Sequence, residues 1–507
     1  METPWFRTHA ALACRGWALA LRPLAVAAVA LTGAGCALGP NYQRPAVPAP
    51  PTWREIPVAE AQSLANTQWW ELFDDPALVE LVRTALVENK DLKIAVERIE
   101  EARARYGFAK ADLWPKLDAS ATAGRLRFNS GSLLHTPDGE ATPSQGTETP
   151  IYDASLGVSW EIDFFGRIRR ASEAQKALFL GAEEARRSAV LTLVSDVARA
   201  YFELRDFDRR LDISRRAIES RREYVVLAKD RFEGGITPEL DYRQAEAELR
   251  RVESIVFDLE RLIALKENEL GVLLGRNPGP GTRGRALDEQ KLPGAVPAGL
   301  PSELLDRRPD IREAEQTLAA ATANIGEAKA MLFPRIALTG SYGFTSTEFD
   351  TLFDGPSKSW NIIGNLLQPI FNSGKNRRRV EITESRQRQT LYAYERTILQ
   401  AFRETEDALV AYRKTGEQRA AQGGRVAAEH KVLELAELRY KGGVAAYLEV
   451  LDAQRSLFGA ELDETQSIGS NLVSLVRLYK ALGGGWPSTP EPIPTGAESS
   501  PAAQTRP

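Results

Sequence analysis

The sequence predicts a mainly α-helical chain with a membrane β part, built as two copies of one plan, with four strands and long coiled-coil helices. Three observations carry this. The chain repeats itself: Arg231-Phe232-Glu233-Gly234-Gly235-Ile236 returns as Arg439-Tyr440-Lys441-Gly442-Gly443-Val444, 208 residues on, and at that offset Leu274-Gly275 falls on Leu482-Gly483 and Gly166-Arg167 on Gly374-Lys375. Residues 115–127 and 154–162 alternate with period two, as a strand with unlike faces does. Val190, Val197, Leu204, Leu211, Ile218 and Val225 recur every seven residues, the spacing of side-by-side coiled-coil packing.

Taken in order, residues 1–35 read as a targeting segment. Arg7, Arg15 and Arg22 precede the apolar run Leu24–Leu31, and Gly33-Ala34-Gly35 meet Cys36. This order is similar to a bacterial lipoprotein signal, in which the cysteine is acylated and becomes the first residue. Gly33 stands where that pattern prefers Leu. Ordinary signal cleavage with an incidental cysteine is the competing reading. Without the leader the counts are 62 basic and 68 acidic residues, a net charge of −6, and Cys36 is the remaining cysteine, so no internal disulfide forms. No basic excess points to nucleic acid. Beyond Cys36 no run of 18 apolar residues is found, so no later spanning helix is expected.

Residues 36–76 form a lipidated N-terminal arm, Pro-rich over 37–65. The first structural repeat is 77–300. It holds a helix from 77 to about 113, strands over 115–127 and 154–162, a long helix over 167–233 and a return helix over 239–275. Ala154, Leu156, Val158, Trp160 and Ile162 share one strand face; Ser155, Gly157, Ser159 and Glu161 share the other. Upstream of Gly166 the repeat offset is 219, and the surplus falls near 129–150, a stretch of Ser, Thr, Gly and Pro that reads as a surface loop. Gly234-Gly235 breaks the long helix, Thr237 is placed to cap its successor, and Pro238 suits the first helical position. In the return helix Leu249, Val252, Val256, Leu259 and Ile263 step by three and four. The 276–300 connection reads as irregular. The second repeat, 301–483, holds a helix over 301–332, strands near 334–345 and 358–371, a helix over 375–441, a Gly-Gly break and a helix to about 483. Residues 484–507 form a flexible tail.

A helix over 167–233 would be roughly 100 Å long at about 1.5 Å per residue. The return helix and the 301–332 helix, stacked, match it. Four strands cannot close a barrel, and open edges cannot face lipid. Several chains must therefore pool strands, and three would supply twelve, an even number suited to an outer-membrane barrel. Its polar face would line water and its apolar face would meet lipid. A soluble sheet with one solvated face is the alternative, and it leaves the attached helical column unexplained.

The carriers of a family resemblance are Gly39-Pro40-Asn41-Tyr42-Gln43-Arg44-Pro45, Trp69-Trp70-Glu71-Leu72-Phe73-Asp74-Asp75-Pro76, Asp163-Phe164-Phe165-Gly166-Arg167, Arg307-Arg308-Pro309-Asp310, Tyr440-Lys441-Gly442-Gly443 and Leu448-Glu449-Val450-Leu451-Asp452-Ala453-Gln454. In this order they resemble the TolC-like outer-membrane efflux channels, in the lipoprotein branch that partners resistance-nodulation-division pumps, over nearly all of residues 36–483. The resemblance implies a homotrimer with a twelve-stranded barrel above a helical periplasmic tunnel. It implies a lipid-anchored location in the outer membrane reaching into the periplasm, a periplasmic adaptor (membrane fusion) protein and an inner-membrane resistance-nodulation-division-type pump. Such a duct exports small compounds passively and needs no cofactor, metal or catalysis. The runner-up is a lipid-anchored periplasmic coiled-coil adaptor or structural protein, which would lack paired strand hairpins. An enzyme is disfavoured: His135 and His430 stand in unrelated contexts, and Gly279-Pro280-Gly281-Thr282-Arg283-Gly284 fits a glycine-rich loop only outside the strand–helix setting that dinucleotide binding requires.

The resemblance also assigns residues. Glu449 and Asp452, three apart on one helix face, match an acidic ring at the tunnel's narrow end, where clustered carboxylates favour cations. A solvated helix face is the bland reading. Asp241 and Tyr440 match a carboxylate–phenol link between hairpins that keeps the tip closed; Tyr440 simply packing between helices is the alternative. Ala445 stands at the family's nearby gating arginine. Gly234, Gly235, Gly442 and Gly443 are tight turns at the periplasmic tips, and by resemblance they dock the adaptor. Trp160 and Trp360 are either interfacial anchors of the barrel or packed side chains.

Overall fold

The structure, a computed structural model, describes residues 37–54, 74–128, 147–290 and 298–484. The leader, Cys36, the Trp69-Trp70 motif, most of the expected 129–150 loop and the C-terminal tail lie outside the described residues.

Helix α1 (Pro76–Glu88) starts where the Asp75 carboxylate accepts the Ala77 N–H at 3.0 Å, with Pro76 at the first position. The single helix expected over 77–113 is in fact two. Asn89 leaves the helical region at ψ 132°, and its side chain accepts the Leu92 N–H at 2.9 Å, starting α2 (Lys90–Ala111). Strand β1 (Lys116–Phe128) follows, then β2 (Thr147–Ile162), which begins earlier than the sequence suggests and shortens the loop accordingly.

The long helices fall where the heptads put them: α3 (Arg167–Glu233) with 67 residues and α4 (Glu239–Leu273) with 35. Pro238 precedes α4 rather than opening it. Thr237 does not cap it either, because its hydroxyl is buried with no hydrogen-bond partner. The expected helix over 301–332 is likewise divided, into a turn at Pro301–Glu303, α5 (Leu304–Arg307) and α6 (Pro309–Ala330). Arg308 is extended at ψ 119°, as the residue before a proline tends to be. Strand β3 (Arg335–Ser346) and β4 (Lys358–Leu367) precede α7 (Lys375–Lys441) and α8 (Tyr447–Ala481), whose 67 and 35 residues repeat the lengths of α3 and α4.

The duplication extends to capping. At corresponding positions the Asn89 carboxamide donates to the Leu273 carbonyl at 2.9 Å and Arg308 Nη1 donates to the Ala481 carbonyl at 3.0 Å. Each return helix then ends in a left-handed glycine, Gly275 at φ 70° and Gly483 at φ 71°.

The chain forms two compact units. One comprises residues up to Pro45, Glu100–Gly181 and Glu315–Ala393; the other comprises Ala46–Ile99, Ala182–Ala314 and residues from Tyr394 onward. The first holds an antiparallel sheet in the order β1-β2-β3-β4. Its register puts Ala119, Leu156, Tyr342 and Trp360 in one cross-strand row and Leu117, Val158, Gly340 and Ile362 in the next, so one apolar face crosses all four strands. That face is open: Trp360 is 68% exposed and Ile362 71%. The other face is polar, with Ser120 and Ser155 hydroxyls 3.0 Å apart and Asp153 accepting from Ser155 and Thr345 at 2.9 Å each. Among the described residues, β1 and β4 are edges without a partner strand. Beside the sheet, α3 and α6 pack through buried Ala174, Ala177, Ala320 and Ala323, small residues that let the helices approach closely.

The second unit carries the main core. Tyr201, Phe202 and Leu204 of α3 meet Leu472, Leu475 and Leu478 of α8. The Asp75 carboxylate, 1% exposed, ties α1 to α3 and to the 276–290 connection by accepting from the Tyr201 hydroxyl at 2.6 Å, Gln290 Nε2 at 2.8 Å and the Arg285 N–H at 3.1 Å. Burial raises its pKa, but these bonds outweigh burial and hold it below the usual carboxylate value. Gly284 belongs to this knot, since a Cβ there would lie 2.2 Å from Asp75 Oδ1. The glycine-rich stretch is thus a packing device.

Candidate functional site

The two Gly-Gly breaks form the same turn twice. After α3, the Gly235 N–H donates to the Phe232 carbonyl at 2.9 Å and the Ile236 N–H to the Arg231 carbonyl at 2.8 Å; after α7, Gly443 and Val444 donate to Tyr440 and Arg439, each at 3.0 Å. This is the Schellman pattern, and it needs a left-handed residue at its second glycine. Gly235 has φ 71° and Gly443 φ 73°. Both tips are exposed, led by Ile236 at 74% and Val444 at 71%.

Behind the turns, the second unit brings four helices together around buried Tyr447, with Ala228, Ala245, Ala436, Val450 and Leu451. Tyr224 of α3 donates to Glu437 Oε1 of α7 at 2.7 Å and stands 6.1 Å from the Tyr447 ring. The Tyr440 ring lies 5.8 Å from that of Tyr447. Burial pushes the Tyr447 phenol up to about 12.

The expected Asp241–Tyr440 bond is not made within the chain. The Tyr440 hydroxyl accepts instead from Arg231 Nη1, and the Arg231 guanidinium lies over the same ring, 4.8 Å from its centre. Asp241 sits in the first turn of α4 and faces the Tyr447 side of the cluster, where its charge helps to raise that phenol. Geometry explains the exchange. Arg231 is on the last turn of α3, so its long side chain spans to α7, whereas Asp241 has two side-chain carbons.

Of the expected acidic pair, Glu449 is held by Arg439 of its own hairpin, Nε to Oε2 3.2 Å, with both side chains half exposed. Asp452 is exposed and, among the described residues, makes no ion pair. The two carboxylates therefore differ: one is partly neutralised in the chain and one is open.

Sequence reasoning missed a cluster deeper in the bundle. Glu248 of α4, 1% exposed, takes Arg221 of α3 at 3.1 Å, Arg251 of α4 at 2.7 Å and Arg455 of α8 at 2.7 Å. The Arg221 and Arg251 guanidiniums stack on the Phe458 ring at 4.9 and 5.7 Å. Burial raises Glu248, but its bonds to Arg251 and Arg455 prevail and hold it below its ordinary value; burial also draws Arg221 down. A signal was available. Arg221 stands three after Ile218 and four before Val225, a core position of the heptad pattern occupied by a cation.

Trp160 donates from Nε1 to the Leu113 carbonyl at 3.0 Å, which ties β2 to the end of α2, while Trp360 is open. Among the described residues no helix is long and apolar enough to cross a membrane.

A sheet with one bare apolar face, one polar face and, among the described residues, unpaired edges, in a chain that also holds two long helical hairpins, is the pattern of a membrane-channel subunit. The chain belongs to the outer membrane efflux protein family, whose model matches it twice, at residues 81–276 and 300–484. It is 37% identical over 470 residues to the probable efflux pump outer membrane protein TtgC of Pseudomonas putida, covering 91% of this chain and 95% of that one. It is 35% identical over 462 residues to the cation efflux system protein CusC of Escherichia coli, covering 90% and 97%. Its fold matches the open-state MtrE outer membrane channel of Neisseria gonorrhoeae with a TM-score of 0.79 at 32% identity, covering 89% of this chain and 98% of that one. The chain is an outer-membrane efflux channel, and its family is one of channels rather than enzymes. The adaptor reading falls with this.

Proposed function

We propose that three copies of this chain assemble into one duct that passively conducts small compounds from a periplasmic pump assembly to the exterior. The carrying observation is the four-stranded sheet with an apolar face exposed across every strand and free edges at β1 and β4. In hydrocarbon an unpaired edge is too costly to persist, so β4 of one copy pairs with β1 of the next until the ring closes. The polar face of Asp153, Ser155 and Thr345 then lines the lumen, and Trp360 with Ile362 meets lipid.

The helical hairpins wall the periplasmic part, with the exposed Gly-Gly turns at its tip docking an adaptor protein that recruits an inner-membrane pump. Tyr440 is the gating link. Arg231 holds it in the free chain, Asp241 lies one turn into the neighbouring helix, and the Glu248 cluster keeps α8 against α3 and α4. Opening loosens these contacts when partners bind, a population shift that the partners' differential affinity drives. Glu449 and Asp452 line the aperture and favour cations there. Acylation of Cys36 anchors the arm. Support comes from its continuation, where the Leu38 N–H donates to the Phe165 carbonyl at 3.2 Å and buried Arg170 bonds the Leu38 carbonyl at 3.0 Å, fastening the arm to the turn between β2 and α3.

The test is reconstitution. Detergent-purified protein is expected as a heat-modifiable trimer by light scattering, conducting in planar bilayers, with Glu449→Ala plus Asp452→Ala weakening block by divalent cations. Material that stays soluble without detergent as single subunits would overturn the reading.

A further inference from the structure

The duplication places a basic run at the start of both long helices, and the two runs end up in different electrostatic states. In the first copy every arginine is satisfied. Arg167 makes a two-pronged pair with Glu161 at 2.8 and 2.9 Å. Arg169 reaches Asp163 at 3.4 Å and the Asp163 carbonyl at 2.9 Å. Arg170 holds Asn41 at 2.8 Å and Glu173 at 2.7 Å.

In the second copy the run is Lys375-Asn376-Arg377-Arg378-Arg379. Arg378 pairs with Glu381 at 2.7 Å. Among the described residues Lys375, Arg379 and, three turns on, Arg386 make no ion pair; Arg379 Nη1 reaches the Met331 sulfur at 2.7 Å. These cations line a groove of about 610 Å³ between α6 and α7. Its floor is apolar, from Ala321, Ala328, Met331 and Ile382. Glu327 is its single acid, and burial raises that carboxyl above its usual value against the pull of Arg167 and Arg379.

The position of the groove narrows the ligand. β4 ends at Leu367, and the next residues include Ile370 and Phe371, 88% and 87% exposed, before the first cation. Gln368 Nε2 donates to the Leu332 carbonyl at 3.2 Å and Asn376 Nδ2 to the Met331 carbonyl at 2.8 Å, so the segments leaving β4 and entering β3 are tied together at the top of the groove. Lys375 to Arg379 covers about 6 Å of helix at 1.5 Å per residue, the depth of one headgroup layer, whereas Arg386 lies about 10 Å further from the strand. Cations without an ion pair among the described residues, next to exposed Ile370 and Phe371 and just beyond a lipid-facing strand, fit a phosphate ester that carries its own hydrocarbon.

We infer that the membrane-proximal end of the α6–α7 groove binds the phosphate of an anionic glycerophospholipid in the periplasmic leaflet, with Lys375 and Arg379 as its cations and exposed Ile370 and Phe371, on the β4 side, flanking its acyl chains. This rests on the outer-membrane reading of the sheet. Basic pockets at a membrane surface hold anionic headgroups in this way.

The experiment is native mass spectrometry of the full-length channel in detergent, titrated with phosphatidylglycerol. Retention is expected to fall roughly thirtyfold in Lys375→Gln/Arg379→Gln, from the loss of two near-surface cations. The charge-matched control Arg222→Gln/Arg243→Gln should retain lipid like the parent. Inorganic phosphate at matched ionic strength should not displace the lipid. Equal retention by the groove variant and the parent would overturn the inference, and displacement by inorganic phosphate would assign the groove to a free anion instead. A groove variant that keeps its lipid but runs as monomers would assign these cations to a neighbouring copy. Parent protein that conducts as a heat-modifiable trimer yet carries no phosphatidylglycerol sinks the lipid site alone; parent protein that forms no trimer sinks the reading beneath it.

Discussion

The two tips of this chain share a backbone and differ in their side-chain loyalties. Both close with the same hydrogen bonds around a left-handed glycine. In the second hairpin Arg439 turns inward and pairs with Glu449 of the same hairpin. Its counterpart in the first hairpin, Arg231, turns outward and takes Tyr440 of the other hairpin, leaving Asp241 to the Tyr447 cluster. Deeper in, Glu248 of the first hairpin holds Arg455 of the second, while the residue 208 positions after Glu248 is Ser456. Duplication has preserved what the turn needs and let the charges diverge. The second hairpin is self-contained at its tip, and the first reaches across to it.

The largest expected effect lies at Glu248. Glu248→Ala leaves Arg221 buried without its counter-charge, and loss of one partner of a buried pair costs about 3 kcal/mol or more. A clear drop in the melting temperature of the solubilised channel should follow. Arg455→Gln should cost less, because that guanidinium is half exposed. Equal losses would place the weight of the cluster on the contact between hairpins rather than on the buried charge.

Next come the turns. Gly235→Ala and Gly443→Ala each force a Cβ into the left-handed region at about 1–2 kcal/mol, and the two should match in thermal scans. Gly234→Ala and Gly442→Ala should be milder. Their new Cβ would lie 3.2 and 3.3 Å from a carbonyl oxygen, without positive φ. Unequal costs for Gly235 and Gly443 would break the claim that the backbones are equivalent.

A third comparison sets Arg231→Gln against Arg439→Gln. The first removes a hydrogen bond and a cation–π contact between hairpins, together about 1 kcal/mol. It should raise single-channel open probability in bilayers several-fold. The second removes an exposed pair and should leave gating alone; the reverse result would mean that the self-contained hairpin carries the gate. The smallest effect is the stability change from Arg439→Gln, expected below about 0.5 kcal/mol and absent in molar salt. A larger, salt-resistant loss would show that this pair is shielded from water.

Most of the architecture was legible in the residues. Alternation in β1 and β2, heptads in α3 and the doubled Gly-Gly breaks each report a local periodicity that the backbone must obey. The errors share a cause as well. Helices expected over 77–113 and 301–332 are interrupted at Asn89, which local pattern permits in a helix, and at Arg308, where the following Pro309 is itself a local signal against the helix. They leave it in order to cap the distant carbonyls of Leu273 and Ala481. Thr237 looked like a cap and is buried unpaired for a similar reason: packing at the tip decided, not propensity. The site was read less completely. Tyr440, Glu449 and the glycines could be picked out by resemblance; Arg221 at a heptad core position hinted at a buried cluster, but its other members Glu248 and Arg455, and the partner of Arg231, are remote in sequence and could not be read.

By itself, then, the sequence determined which stretches are rods, which are two-faced strands, where the rods must turn, and that all of this is said twice. Those properties follow from 3.6- and 2-residue periods and from glycine's freedom at positive φ. Only the tertiary structure decided which cation meets which anion: Arg231 with Tyr440 rather than Asp241, three arginines on one glutamate, and the cations over the α6–α7 groove without an ion pair. Charge pairing depends on distances between helices that no single helix encodes.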